Sequence, residues 1–187
     1  MVSEGCYTME KFAEYILKEE SLVKKMEIMY YLQRRGGIFF DNSVILKTQV
    51  AKMFVEKMNL DVDKNLVLTA SLLYGCKKSD SPQHLDRIKM FPQESADYLR
   101  ELGFDDHFCK ICQQHSRVDK LGRREKESDV LELVDQFCGM LLHRPERMGF
   151  KVDEALVLLE HRNLKDKQNR YLEKFKEFIM NMEEVLV

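Results

Sequence analysis

The stretch Leu66-Val-Leu-Thr-Ala-Ser-Leu-Leu-Tyr74 is apolar almost all the way round a helical projection, and its reading decides the fold. A helix without a polar face has to be enclosed by other elements, since otherwise its whole circumference meets water. Asp63 stands just upstream as a cap for its first turn. On the amino-terminal side, Val50, Ala51, Phe54, Val55 and Met58 mark the inner face of a second helix. Before that, Met9, Phe12, Ala13, Ile16 and Leu17 predict a helix over 7–20 with Thr8 as its cap, and another runs from Ser21 to the helix-stopping pair Gly36-Gly37. Residues 37–42 form a connector. Downstream, residues 77–87, with charges and Pro82, read as a loop. Helices follow over 93–102, 105–116, 127–143, 152–161 and 165–184, broken at Gly103, the charged segment 117–126, Pro145 and Gly149. No run alternates with period two and no internal repeat is visible, so the fold class is all-α.

Composition agrees. The chain has 187 residues with 8 Gly and 3 Pro, 44% apolar and 33% charged residues, which suits long helices and a real core and excludes disordered or collagen-like classes. The 30 basic residues nearly balance the 32 acidic ones, so no net field draws in nucleic acid or an acidic membrane. No stretch approaches the ~20 apolar residues of a membrane span, and residues 1–10 lack the pattern of a secretory signal; a cytoplasmic location is expected. Five irregularly spaced cysteines, Cys6, Cys76, Cys109, Cys112 and Cys138, suggest reduced, partly buried thiols rather than a disulfide framework.

His107, Cys109, Cys112 and His115 offer metal ligands within nine residues. Cys109, Cys112 and His115, however, step about 60° apart along one predicted helix and cannot surround an ion tetrahedrally. Phe108, Ile111, Cys112 and His115 share a face and are expected in the core. Asp135 is more informative, because it sits among Val130, Leu131, Leu133, Val134, Phe137, Cys138, Met140 and Leu141. A carboxylate there is paired, protonated or bound to a cation, or lies at the edge of the buried face bonding a loop. Two basic clusters, Lys120, Arg123, Arg124 and Lys126, and Arg144 with Arg147, lack the interleaved aromatics of a nucleic-acid surface. Tyr171, Phe175, Phe178, Met182 and Val185 form a stripe on the last helix, for packing on its own domain or for a homodimer.

Several phrases, in order, resemble the HD superfamily of metal-dependent phosphohydrolases, of the HD-GYP type. Leu66 to Lys78 looks like its central helix running into a His-Asp doublet and Ile-Gly-Lys, with Tyr74 and Gly75 at the doublet. Leu46-Lys-Thr-Gln-Val-Ala51 is similar to its His-Ser helix, Phe91-Pro92 to its His-Pro, Gln114-His115-Ser-Arg117-Val-Asp119 to its His-His-Glu-Arg-x-Asp, and Val134-Asp135-Gln-Phe137 to its Ala-Asp-x-Phe. Arg144-Pro145 and Asp153-Glu154-Ala-Leu156 look like the Arg-Pro and the closing helix.

The resemblance implies an HD-like helical bundle over residues 41–187, preceded by an N-terminal helical extension over 1–40. At the seven positions where that family places metal ligands stand Leu46, Tyr74, Gly75, Phe91, Gln114, His115 and Asp135, and only His115 and Asp135 bind metal in the usual way. The expectation is therefore a degenerate, collapsed site with no catalytic residues and no metal or other cofactor, His115 and Asp135 bonding each other. Its function would be that of a regulatory, signalling or interaction module with a protein partner or a second copy of itself, or of a domain holding a nucleotide without hydrolysis; Lys78 and Arg117 are the candidate phosphate-binding residues. The alternative is a divergent phosphohydrolase or cyclic-dinucleotide phosphodiesterase using iron or manganese on His115, Asp135 and replacements such as His84, Asp86 or Asp119. Neither membrane nor nucleic acid is an expected partner.

Overall fold

The computed structural model describes residues 9–34, 38–40, 42–78, 85–116, 123–143, 147–164 and 169–186. Among them every regular element is an α-helix: α1 (Met9–Lys18), α2 (Leu22–Arg34), α3 (Asn42–Lys57), α4 (Lys64–Leu73), α5 (Leu85–Glu101), α6 (Asp106–Gln113), α7 (Lys126–Leu141), α8 (Val152–Leu164) and α9 (Leu172–Leu186). The apolar helix is central. α4 packs against α1, α2, α3, α6 and α7, and its residues from Val67 to Leu73 are all buried. The Asp63 carboxylate accepts the Leu66 N–H at 3.0 Å, as expected of a cap. The Asp63 N–H in turn donates to Glu127 at 3.1 Å, which ties the start of α4 to the start of α7.

α3 and α5 end the same way. In each, the residue after the cap adopts a positive φ, 44° at Asn59 and 87° at Gly103, and the following N–H reaches back to an orphan carbonyl, Leu60 to Val55 and Phe104 to Leu99. This turn satisfies the last carbonyls and favours Gly or Asn at its left-handed position.

Two helix starts differ from the sequence reading: the last helix, read from residue 165, begins at Leu172 as α9, and α5 begins well upstream of residue 93. α3 begins at Asn42, where the connector read over 37–42 ends, and its inward face extends upstream of Val50 through Val44, Lys47 and Thr48. α5 begins at Leu85 and runs through Pro92; the ring is buried, and one lost backbone bond is outweighed by the packing of the turns on either side. The Thr8 cap and the Gly36-Gly37 stop lie outside the described residues.

The N-terminal helices share the main core, to which they contribute Ala13, Ile16 and Met29. Their attachment to α4 also has a polar part. The fully buried Lys25 of α2 donates to the Ile16 carbonyl at 2.5 Å and to Thr69 Oγ1 at 2.6 Å, while Asn65 donates to the Leu17 carbonyl. Ile16 and Leu17 lie in the last turn of α1, where carbonyls have no helical partner.

At the other end, Phe54 meets Phe175 at 4.9 Å and Phe178 at 5.3 Å, and Phe137 meets Phe175 at 5.4 Å. The stripe on α9 is thus spent inside the fold: Tyr171, Phe175 and Phe178 are buried and do not present a dimer surface, while the Val185 side chain lies outside the described ones. Of the basic clusters, Arg124, Lys126 and Arg147 are engaged within the fold, while Arg123 is exposed. Arg124 and Arg170 both grip Asp129, at 2.8 and 2.6 Å, Arg124 and Asn169 reach the buried Glu132, and Lys126 pairs with Asp61. Arg147 donates to the Gly139 and Met140 carbonyls and so caps the end of α7. Lys120 and Arg144 lie outside the described residues.

Burial lowers the Lys25 pKa to about 8 from 10.5, against the pull of Glu19 and Asp63. Between those values the unfolded chain binds more protons than the folded one, so stability rises with pH. Chemical denaturation of wild type and Lys25→Met should show the wild-type value gaining about 3 kcal/mol on the variant from pH 8 to pH 10.5, with a constant difference below pH 8. A difference independent of pH throughout would show that Lys25 stays charged in the fold.

Candidate functional site

Asp135 projects from the middle of α7 toward α3 and the end of α4. Its Oδ1 accepts from Lys47 Nζ at 2.7 Å and from the Tyr74 hydroxyl at 2.5 Å. Lys47 comes from the inward face of α3 and Tyr74 is the residue that closes α4. The ring of His115, which follows α6, lies 4.3 Å from that of Tyr74 and 5.4 Å from that of Phe91 on α5. Five helices therefore deliver one side chain each to a single cluster.

The cluster is polar at one end and aromatic at the other. The Lys47 side chain is 5% exposed and that of Asp135 32% exposed, although the carboxyl group itself is crowded by protein atoms. Burial alone would raise the Asp135 pKa, but the charge of Lys47, that of His115 once it is protonated in acid, and the bonds from Lys47 and Tyr74 outweigh it and hold the carboxyl well below the usual range. His115 is buried and its Nδ1 lies 2.7 Å from the Cys112 carbonyl. Burial lowers its pKa, opposed by Asp135 and that carbonyl and assisted by Lys47 and Lys78. It sits at neutral pH as an uncharged ring between two aromatics.

The expected direct bond between His115 and Asp135 is not made. Lys47 and Tyr74 claim the carboxylate, and the His115 nitrogen nearest a partner turns to the end of its own helix. Asp135 does stand at the edge of the buried face, but it bonds no loop; its partners lie on α3 and at the end of α4.

Of the other positions, Leu46 is exposed beside the inward Lys47. Gly75 has room for a side chain, since a Cβ there would meet only Lys78 Cβ at 4.0 Å. Gln114 is buried and anchors the start of α7, its Oε1 accepting the Glu125 N–H at 2.9 Å. Lys78 is half-buried close enough to act on His115. Arg117, His84 and Asp119 lie outside the described residues, as does the side chain of Asp86.

The cysteine-rich segment is core-facing, as its periodicity indicates: Phe108, Cys109, Ile111, Cys112 and His115 are all buried. Burial pushes the Cys76 and Cys109 thiols up to about 11 and Cys138 up to about 12, so none is a nucleophile near neutral pH. Cys6 lies outside the described residues. Among the described residues no three His, Cys, Asp or Glu side chains converge as a metal site would need.

Lys47 is the residue that sequence reasoning passed over. Its signal was its phase, since it shares a face with Val44, Ala51 and Val55, and a lysine on an apolar stripe calls for a buried acid.

No protein-family model matches the chain, and no curated protein or solved structure is significantly similar to it. The likeness to HD domains rests on the quoted residues alone.

Removing one partner of a buried pair leaves the other charge uncompensated. Asp135→Leu, which strands the enclosed Lys47, should cost about 3 kcal/mol, and Lys47→Met about 1 to 2, since Asp135 keeps Tyr74 and some access to water. The double variant should lie within about 1 kcal/mol of wild type; strict additivity in urea melts would dissolve the pair as an energetic unit. In acid, the contribution of neutral His115 fades as pH falls below 6.5 and that of Asp135 as it falls below 3.8. His115→Phe should remove the upper phase of acid destabilisation and leave the lower one.

Proposed function

We propose that this chain is a degenerate HD-like domain, without hydrolase activity, that works as a regulatory or interaction module in a reduced, cytoplasmic compartment. One observation carries the reading. The carboxylate that would serve as the last metal ligand, Asp135, is already neutralised by the ammonium of Lys47 and bonded by the hydroxyl of Tyr74.

Metal-dependent phosphate ester hydrolysis needs a divalent ion that lowers the pKa of a bound water and clamps phosphate oxygens. The residues here do not fit such an ion. Gly75 has no donor where a bridging carboxylate would stand, Phe91 and Leu46 are apolar, and Gln114 is turned to the start of α7. His115 offers a single imidazole enclosed by two aromatic rings. An ammonium on Asp135 adds a repulsive charge where a cation would sit.

What such a domain retains is a rigid helical body. The four unpaired buried thiols among its described residues suit a reducing compartment. For a domain that holds a nucleotide without hydrolysis, Lys78, half-buried beside His115, is the candidate phosphate-binding residue.

Protein purified without chelator should carry well under one equivalent of iron or manganese by elemental analysis. It should leave bis(4-nitrophenyl) phosphate intact at metal concentrations that saturate ordinary phosphodiesterases. Stoichiometric metal, together with hydrolysis that disappears in His115→Ala, would overturn the reading in favour of a divergent phosphohydrolase.

A further inference from the structure

Beside the C-terminal end of α7, the start of α8 borders an open groove of about 370 Å³ lined by Phe150, Asp153, Glu154, Val157 and Leu158. Asp153, Glu154, Val157 and Leu158 recur at helical spacing and form one face of α8. Leu158 packs on the core, whereas Val157 is 67% exposed and Phe150 38% exposed, with Met148 at 77% just upstream. Water is a poor solvent for such a surface, and contiguous apolar groups around a concavity mark an interaction site.

The wall of the groove is firmly built. The Arg147 guanidinium lies 5.2 Å from the Phe150 ring while it donates to carbonyls ending α7, and the Phe150 N–H donates to the Met140 carbonyl at 2.9 Å. Gly149 lies so close to α7 that a Cβ would stand 2.0 Å from the Leu141 carbonyl oxygen. The groove therefore exists before anything enters it, which reduces the ordering cost of binding.

Its charge selects the occupant. Asp153 and Glu154 stand beside the apolar floor, and among the described residues neither is in an ion pair; Glu154 accepts only the Lys151 backbone N–H. Both sit favourably at the positive end of the α8 dipole, and they are the charged residues that line the groove, the Arg147 guanidinium on its Phe150 wall being turned to carbonyls at the end of α7. We propose that this groove docks an amphipathic segment of a protein partner, one that places apolar side chains on Phe150, Val157 and Leu158 and Lys or Arg side chains against Asp153 and Glu154. This names the partner chemistry of the interaction module proposed above and rests on that half of the reading; the metal and phosphodiester measurements test the other half independently.

The experiment uses the whole chain and a pair of fluorescein-labelled helical peptides of identical apolar pattern, one Leu/Lys and one Leu/Glu. Fluorescence anisotropy at physiological salt should show the Leu/Lys peptide binding at least tenfold more tightly. Val157→Asn, and separately Asp153→Asn with Glu154→Gln, should each weaken it about tenfold while circular dichroism at the assay temperature stays unchanged. The charge change Glu94→Lys on exposed α5 should have no effect. Equal binding of the two peptides, or equal weakening by Glu94→Lys, would overturn the proposal by reducing it to net charge. So would concentration-dependent self-association abolished by Val157→Asn and indifferent to Asp153→Asn with Glu154→Gln, which would make the occupant a second copy of the chain.

Discussion

The ion pair between Lys47 and Asp135 links the helices that enclose the core, and much of the surrounding arrangement follows from it. α7 is buried along most of its length, and a carboxylate in its middle would destabilise the bundle unless a cation or donors came to it. Lys47 does so from α3 and the Tyr74 hydroxyl from the end of α4, so α3, α4 and α7 meet at one oxygen. Such a contact adds little net stability over an apolar substitute, but it penalises every register of those helices that leaves either charge alone. The aromatic side of the cluster extends this into α5 and α6, through Phe91 and His115 against Tyr74.

The same device recurs where other helices carry charged and polar residues inward. Lys25 satisfies α1 carbonyls and Thr69, Glu132 and Asp129 are held by Arg124, Arg170 and Asn169, and Gln114 receives the start of α7. Each group is buried and bonded, as a low-dielectric interior requires. The consequence for function is that the most conspicuous charged side chains are occupied within the fold. The Asp153 and Glu154 pair differs in being exposed beside exposed apolar groups, and for that reason the interaction proposal moves away from the Asp135 cluster to the groove along α8.

Much of the helical layout was legible in the residue pattern, because helix periodicity and stop signals are local. The apolar run of α4 with its Asp63 cap, the break at Gly103 and the core-facing phase of Phe108, Ile111, Cys112 and His115 could all be read directly. The upstream half of the inner face of α3 was obscured by Lys47 and Thr48, whose polarity hides it, and the start of α5 by Pro92, which local preference treats as a boundary. For the candidate site, the sequence identified Asp135 as a carboxylate in need of a partner and Tyr74, Phe91 and His115 as members of one set. It misjudged the bonding within that set, assigning His115 to Asp135 and overlooking Lys47.

By itself, then, the sequence determined the all-helical class, the enclosed position of α4 and the requirement that Asp135 be neutralised, since these follow from periodicity and from the cost of burying charge. Which group does the neutralising was decided only by the tertiary structure. Lys47 and Asp135 are 88 positions apart, and nothing local to either residue encodes their meeting; it results from the angle and register at which α3, α4 and α7 pack. The groove along α8 likewise exists only because Gly149 lets the chain lie against the end of α7 and Arg147 holds it there, a close approach that neither residue reveals until the helices are in place.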